Sequence, residues 1–539
     1  MRRTSSAHFL VLVAFACAAI FIALFVGRSA SAKQLSQLQT RTAPPRLIPV
    51  PRSLKIIPGV SFTLARDTQI LVSSESSKAV AVATYLAHIL RRSTGFELPV
   101  SEPPAVSGHD ISLKLSSTPR LGRESYRLDV TADGVKLQAR TPEGLFRGVQ
   151  TLRQLLPAQI ESSKVRSVPW TAPGVHVVDY PRFAWRGAHL DVARHFFAVG
   201  VVERYIDLLA TYKINILHLH LSDDQGWRIV IDSWPKLATV GGKTAVGGGR
   251  GGYYTQQDYS DIVRYAAARY ITVVPEIDSP GHVNAALTSY PELNCNGIAP
   301  PAYTGTNVGF SALCFSKQIT YTFLDDVIRE IATLTPGPYF HIGGDEANTT
   351  KPVDYIAFIE RAEQIVQAHG KKMIGWAPNV TDAKLSPNSV AQYFNPAGGS
   401  QPGTDAARAA VRQGVKLVMS PANKTYLDMK YSPSTRLGTI WAGYDNVRNS
   451  YQWDPVTYVN GVREKNVLGV ESCLWTETIR TNKDIDYMTF PRLPGIAEIG
   501  WSSAKGRSWK TYRLRLAAQS PRWKVMSVNF YRSPQVPWR

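Results

Sequence analysis

The sequence predicts an α/β protein: a (β/α)8 TIM barrel preceded by a small α+β domain. Three observations carry that reading. From Phe183 onward, apolar runs of strand length recur eight times over about 320 residues, the size of a decorated barrel. Helical stretches fall between several of them, the alternation expected of a parallel α/β fold. Most runs end in polar clusters, and the carboxyl ends of barrel strands are where this fold keeps its chemistry. A doubly wound sheet is the rival architecture, but eight strands favour closure.

The strand candidates are 186–191, 214–222, 271–278, 339–344, 372–377, 390–394, 417–419 and 468–474. Helices are expected at 201–212, 256–268, 318–334 and 353–369, the last stopped by Gly370. Upstream, strands are expected at 70–72, 126–130 and 135–139, and helices at 79–92 and 142–156. These do not alternate regularly, which suggests α+β. The divisions are 46–174 for the small domain, with 162–174 as a junction, 175–505 for the barrel, and 506–539 for a C-terminal helix and basic tail.

The chain has 539 residues, enough for two domains with ample core. Its net charge of +20 raises the question of an anionic partner. The basic residues are scattered, with no block of the kind that marks a nucleic-acid arm, so no nucleic acid is expected. Residues 1–32 read as a targeting segment. Arg2 and Arg3 precede an apolar run at 9–26, and Ala30-Ser31-Ala32 has the form of a cleavage site. A cleaved signal peptide is the first reading. An uncleaved anchor is the second, and only then is a membrane a partner. Either way the chain is exported, periplasmic or extracellular. Residues 33–45 form a polar linker. The four cysteines include no CxxC pair, so a structural zinc site is not expected.

The stretch from Phe340 to Asn348 organises the barrel. An apolar run leads into Gly343 and Gly344, which permit close approach, and then into Asp345-Glu346. In isolation such a pair reads as a solvated turn. Directly after a buried strand, it reads as chemistry. Other strand ends supply Arg194, Asp223, His282, Trp376, Tyr426, Asp428, Trp475 and Glu477. Carboxylates beside Trp and Tyr suit a sugar: aromatic faces stack on C–H groups, and carboxylates accept hydroxyl protons. Trp376 and Trp475 also suit a core. His218 and His220 share a strand face and read as interior residues rather than metal ligands. No metal or cofactor is expected. The glycines at 247–252 do not complete a phosphate loop, and no nucleophile elbow occurs.

The motifs DVARHFF from Asp191, HLHLSDDQGW from His218, PEIDSPGH from Pro275, HIGGDEA from His341 and Trp475-Thr476-Glu477 resemble the family 20 glycoside hydrolases, the exo-β-N-acetylhexosaminidases. The resemblance covers both domains. It implies hydrolysis of terminal β-linked N-acetylglucosamine or N-acetylgalactosamine from an oligosaccharide or glycoconjugate, with retention, by the substrate's own acetamido group. It assigns Glu346 as general acid and Asp345 as the carboxylate that orients the acetamide. It places Asp223 and His282 behind the acid and Tyr426 on the acetamido oxygen. Arg194, Asp428 and Glu477 fall on ring hydroxyls, and Trp376 and Trp475 on the pocket wall. It also implies a Cys295–Cys314 loop disulfide, with Cys473 reduced. One departure appears: Tyr393-Phe394 stands where the family often has another pocket tryptophan. A disaccharide-releasing relative and a catalytically silent sugar binder are the alternative readings.

Overall fold

The computed structural model describes residues 44–538 except 105–107, 118–121 and 396–400. The expected leader and nearly all of the linker lie outside the described residues. Eight parallel strands close a barrel: Trp185–Asp191, Ile216–His220, Thr272–Glu276, Tyr339–His341, Lys372–Ala377, Val390–Tyr393, Lys416–Met419 and Val467–Ser472. The eighth pairs with the first, Gly469 opposite Trp185, and the first with the second, Gly187 opposite Ile216. Each strand falls on an expected run. Strands covered on both faces lose alternation and read as continuous apolar text.

The helices outside the barrel end where local chemistry dictates. Thr255 caps Gln256–Ala267 and exchanges hydrogen bonds with Asp258, a capping box. Pro352–Ala368 is followed by Gly370 at φ +72°, the left-handed conformation a helix stop requires. The fourth strand is shorter than its apolar run. It stops at His341 because Gly343 and Gly344 turn to φ +70° and +94°.

The N-terminal domain is a seven-stranded mixed sheet. In spatial order its strands are Ser53–Thr63, Thr171–Asp179, Tyr126–Thr131, Gly134–Ala139, Asp110–Leu115, Ile70–Val72 and Val100–Ser101. The segment 162–174 is therefore not a junction through its whole length. Thr171–Asp179 is a strand inside the sheet, paired on both sides, and a boundary at 174 would cut through it. The link between the domains lies just after Asp179. Pro173 and Gly174 hid the strand, since both residues are poor in ladders. Pro173 is tolerated opposite Ser61, where a bulge interrupts the partner strand.

Two helices, Ser77–Thr94 and Pro142–Leu155, pack on this sheet. The second is buried along nearly its whole length, because the barrel covers its other side. From it, Arg147 donates to the carbonyls of Ile214 and Tyr270 at 3.3 and 2.8 Å. Those carbonyls precede the second and third barrel strands. Arg147 and Arg186 share the Glu124 carboxylate. Asp179 accepts from Lys213 Nζ at 2.9 Å and from Trp501 Nε1 at 3.0 Å.

The C-terminal segment forms the helix Trp509–Ala517, as expected, and a second one, Ser520–Val525. Its basic residues are used in the fold. Arg515 pairs with Glu498 at 2.5 Å and Arg522 with Glu161 at 2.6 Å, while Trp523 is buried.

Cys295 and Cys314 are bridged, and Cys473 is a buried free thiol. The bridge closes a loop with a sequence separation of 19 residues. By loop entropy it contributes about 3 kcal/mol. Non-reduced peptide mapping should return the Cys295–Cys314 cross-link, and Cys295→Ser should lower the thermal midpoint. Recovery of Cys295 as a free thiol in the native protein would refute the pairing.

Candidate active site

The carboxyl ends of the strands form one rim. Asp191 closes the first strand. Its Oδ1 accepts the N–H groups of Ala193 and Arg194 at 2.8 and 3.0 Å, and its Oδ2 accepts that of Thr476 at 3.0 Å. These bonds fold the turn that aims Arg194. The Arg194 guanidinium lies 2.7 Å from Asp223 Oδ2 and sits over the Trp475 ring, 4.8 Å from its centroid. Neighbouring carboxylates outweigh its burial and keep it charged.

After the second strand, Ser222-Asp223 pairs with Gly226-Trp227 in a short ribbon. The ribbon turns Asp223 inward. Asp223 Oδ1 faces His282 Nδ1 at 3.2 Å. Arg194 and His282 outweigh burial and hold the Asp223 carboxyl far below its ordinary range. Burial works against a charged His282, but Asp223 and Asp278 overcome it and raise its pKa well above normal. The ring is therefore a cation. Its Nε2 lies 3.2 Å from Glu346 Oε2 and 3.8 Å from Asp345 Oδ2.

The two glycines before the acidic pair are steric requirements. A Cβ on Gly343 would stand 1.7 Å from Asp278 Oδ1, and one on Gly344 would stand 2.5 Å from Val380 Cγ1. Glu346 itself adopts φ +48°, a strained conformation for a residue with a side chain, of the sort functional sites retain. The turn separates the two carboxylates by exposure: 14% for the Asp345 side chain and 39% for Glu346. Burial pushes Asp345 up to about 6; His282 opposes the rise, and Glu346 and Glu276 add to it. Asp278 is pushed well above its ordinary range, by burial and then by Asp345. Its Oδ1 accepts Gly344 N–H at 3.2 Å.

Around the pair lies a cavity of about 720 Å3. Arg194, His282, Asp345, Glu346, Tyr426, Trp475 and Glu477 line it. Asp223 stands behind His282. Trp376 is buried, with its ring 5.8 Å from that of Trp475, and its Nε1 donates to Glu276 Oε1 at 2.7 Å. Burial keeps the Tyr426 hydroxyl protonated. Asp428 takes a 3.3 Å hydrogen bond from Thr439 on Oδ2, while its Oδ1 is buried and unpartnered. Asp345 Oδ1 and Glu477 Oε2 are also buried without a protein partner. Three unspent carboxylate oxygens around one cavity are acceptors for a polyhydroxylated ligand. Seven of the ten sequence-expected residues line the cavity, and Asp223, Trp376 and Asp428 contact residues of that lining.

Phe394 does line the cavity, edge-on to Trp376 at 5.9 Å. A second aromatic group, Trp441, joins the lining and meets Tyr426 at 5.7 Å. Sequence reasoning missed Trp441, which lies in irregular text with no periodic signal. Asp278, Glu276 and Glu471 stand in the strand-end clusters of the sequence, but sequence reasoning gave them no role. Among the described residues, ligand atoms of His189, His218 and Glu276 lie within 4.8 Å of one another. Both Glu276 oxygens already take hydrogen bonds, from His220 and Trp376.

The sequence matches the family model described as glycosyl hydrolase family 20, catalytic domain, over residues 183–504. It matches domain 2 of the same family over residues 44–180. A β-N-acetylhexosaminidase of Cellulomonas fimi is 41% identical over 492 residues, which are 91% of this chain and 97% of that protein. The solved family 20 β-N-acetylhexosaminidase of Streptomyces coelicolor is 52% identical, with a TM-score of 0.89 over 92% of this chain and 99% of that one. A mutant Streptomyces plicatus β-hexosaminidase, solved with its product GlcNAc, is 53% identical, with a TM-score of 0.89 over 92% and 98% of the two chains. Both domains, the barrel and the rim sequence therefore agree, and the chain belongs to glycoside hydrolase family 20.

Proposed function

We propose that the chain is an exported β-N-acetylhexosaminidase that removes terminal β-linked N-acetylhexosamine with retention. The observation that supports this most is the Asp345-Glu346 pair. The two side chains differ in burial and face one aromatic-walled cavity. An acid and an orienting carboxylate need that difference.

In this reading Arg194, Asp428 and Glu477 hold the ring hydroxyls, and Trp376 and Trp475 wall the ring. The Tyr426 hydroxyl, protonated throughout, donates to the acetamido oxygen. That oxygen attacks the anomeric carbon while Glu346 gives its proton to the departing glycosidic oxygen. The electron pair of the broken bond leaves with the aglycone, and a cyclic oxazolinium ion forms. Asp345, ionised above about pH 6, accepts the acetamido N–H and offsets the positive charge. Glu346, now a base, takes a proton from water, which opens the ring from the same face the aglycone left. Two inversions give retention. The disulfide supports an oxidising compartment for the chain.

Purified protein should release p-nitrophenol from the β-glycoside of N-acetylglucosamine, and the first-formed sugar should be the β-anomer. The glucose β-glycoside, which lacks the acetamide, should react at least about 10³-fold more slowly. An inert protein that still binds N-acetylglucosamine would overturn the reading in favour of a silent binder.

A further inference from the structure

The barrel interior beneath the pocket holds titratable groups that the mechanism above does not use. His220 Nδ1 lies 2.5 Å from Glu276 Oε2, and its Nε2 lies 2.9 Å from Asp223 Oδ2. His218 Nδ1 lies 2.8 Å from Glu471 Oε1, and its Nε2 lies 3.2 Å from Glu276 Oε2. A neutral imidazole donates from one nitrogen only. His220 is hydrogen-bonded to a carboxylate at both ends, so it must carry two ring protons and a positive charge. His218 is hydrogen-bonded to Glu471 and lies within ion-pair distance of Glu276, which favours the same state. We propose that Glu471, His218, Glu276, His220, Asp223 and His282 form a ladder of alternating charge ending at Glu346, and that Glu276 is a positioning residue for the acid. This rests on the hexosaminidase reading for its kinetic consequence, though not for the charges themselves.

Glu276 is the middle rung. His189 approaches it from the first strand, with Nε2 3.7 Å from Oε2. His218 and His220 come from the second strand, His341 from the fourth at 3.0 Å, and Trp376 from the fifth. Asp278 and Asp345 lie on the pocket side, and the charge of Glu276 helps to push both of their carboxyls up. Burial pulls all four histidines down. Glu276, with a second carboxylate, overcomes burial at His218 and His220, which rise to about 9 and about 10. At His189 burial wins: Glu276 opposes it, the neighbouring His218 and His220 add to it, and the ring falls to about 4. His341 also falls.

The ladder acts through orientation. With its charge intact, Glu276 holds His220 as a cation, and His220 fixes Asp223 Oδ2. Asp223 Oδ1 is then left to His282 Nδ1, which sets the His282 ring with Nε2 toward Glu346. Glutamine at position 276 removes the charge, and its amide can donate back toward His220. The neutral ring must then choose one partner, and Asp223 loses a fixed contact.

Two measurements test this on the full chain. In the wild type labelled with nitrogen-15 at histidine, His218, His220 and His282 should have both ring nitrogens protonated at neutral pH. Glu276→Gln should remove the first two of these signals. Neutral His218 and His220 rings in the wild type overturn the ladder, whether or not any variant folds. The second measurement compares N,N′-diacetylchitobiose, with its poor leaving group, and the activated p-nitrophenyl glycoside. Glu276→Gln should lower kcat about 10²-fold on the first and less than about 10-fold on the second, with KM within about two-fold. Equal loss on both substrates, or wild-type kinetics, overturns the positioning role. A wild type that cleaves neither substrate sinks the hexosaminidase reading instead and leaves the nitrogen-15 signals to judge the ladder.

Discussion

Asp345→Asn will lower kcat and kcat/KM together, by about 10²–10³-fold, and will leave the protein at least as stable as the wild type. In the proposed mechanism Asp345 never bonds to sugar. It holds an N–H and offsets charge that exists only as the oxazolinium forms, so its loss falls on the transition state rather than on ground-state binding. Stability should not suffer, because burial and the nearby carboxylates already make the charged form costly and push the group up to about 6. The sign is that of a raised carboxylate: the ionised form costs stability above the ordinary range, and asparagine carries no charge. The wild-type rate should also fall as pH drops through about 6, as Asp345 takes a proton, and that limb should vanish in the variant. A thiazoline analogue of the cyclised intermediate should inhibit the wild type strongly and Asp345→Asn weakly. A 2-fluoro sugar that traps a covalent adduct on Asp345, detected by intact mass, together with absent thiazoline inhibition, would replace the mechanism with a carboxylate nucleophile.

Glu346→Gln will reduce cleavage of chitobiose by about 10³–10⁴-fold, and cleavage of an activated aryl glycoside far less. Protonation matters in proportion to the basicity of the departing oxygen, and p-nitrophenolate leaves without help. The exposure of Glu346 agrees with an acid that must reach an aglycone outside the pocket and later admit water. Azide should partly restore the variant on the aryl substrate and give a β-glycosyl azide. Equal losses on both substrates would remove Glu346 from the acid role.

Much of this was legible in the text because barrel strands are short, buried and apolar, and because their last residues carry the chemistry. Asp345 and Glu346 stood out by following two glycines at the end of such a run. The expected wall, rim and dyad residues all sit at the end of a strand or just beyond it. Thr171–Asp179 was illegible because Pro173 and Gly174 break the expected pattern, and only the bulge in the facing strand makes them tolerable. Trp441 reaches the cavity from a connection without periodicity. Glu276 and Glu471 look like rim residues in sequence, but their side chains point into the barrel axis, where histidines from other strands neutralise them. That pairing is three-dimensional information.

The helix Pro142–Leu155 bears on how the protein can be re-engineered. It serves two masters: one side completes the N-terminal sheet and the other seals the bottom of the barrel. Excising residues 44–180 would not liberate a catalytic module. It would strip Arg186 of the Glu124 carboxylate that it shares with Arg147, leave Lys213 without Asp179, and uncover two cations that the intact chain buries almost fully. The barrel is therefore unsuited to transplantation into a fusion without its partner, and the two parts should be inherited, expressed and melted as one.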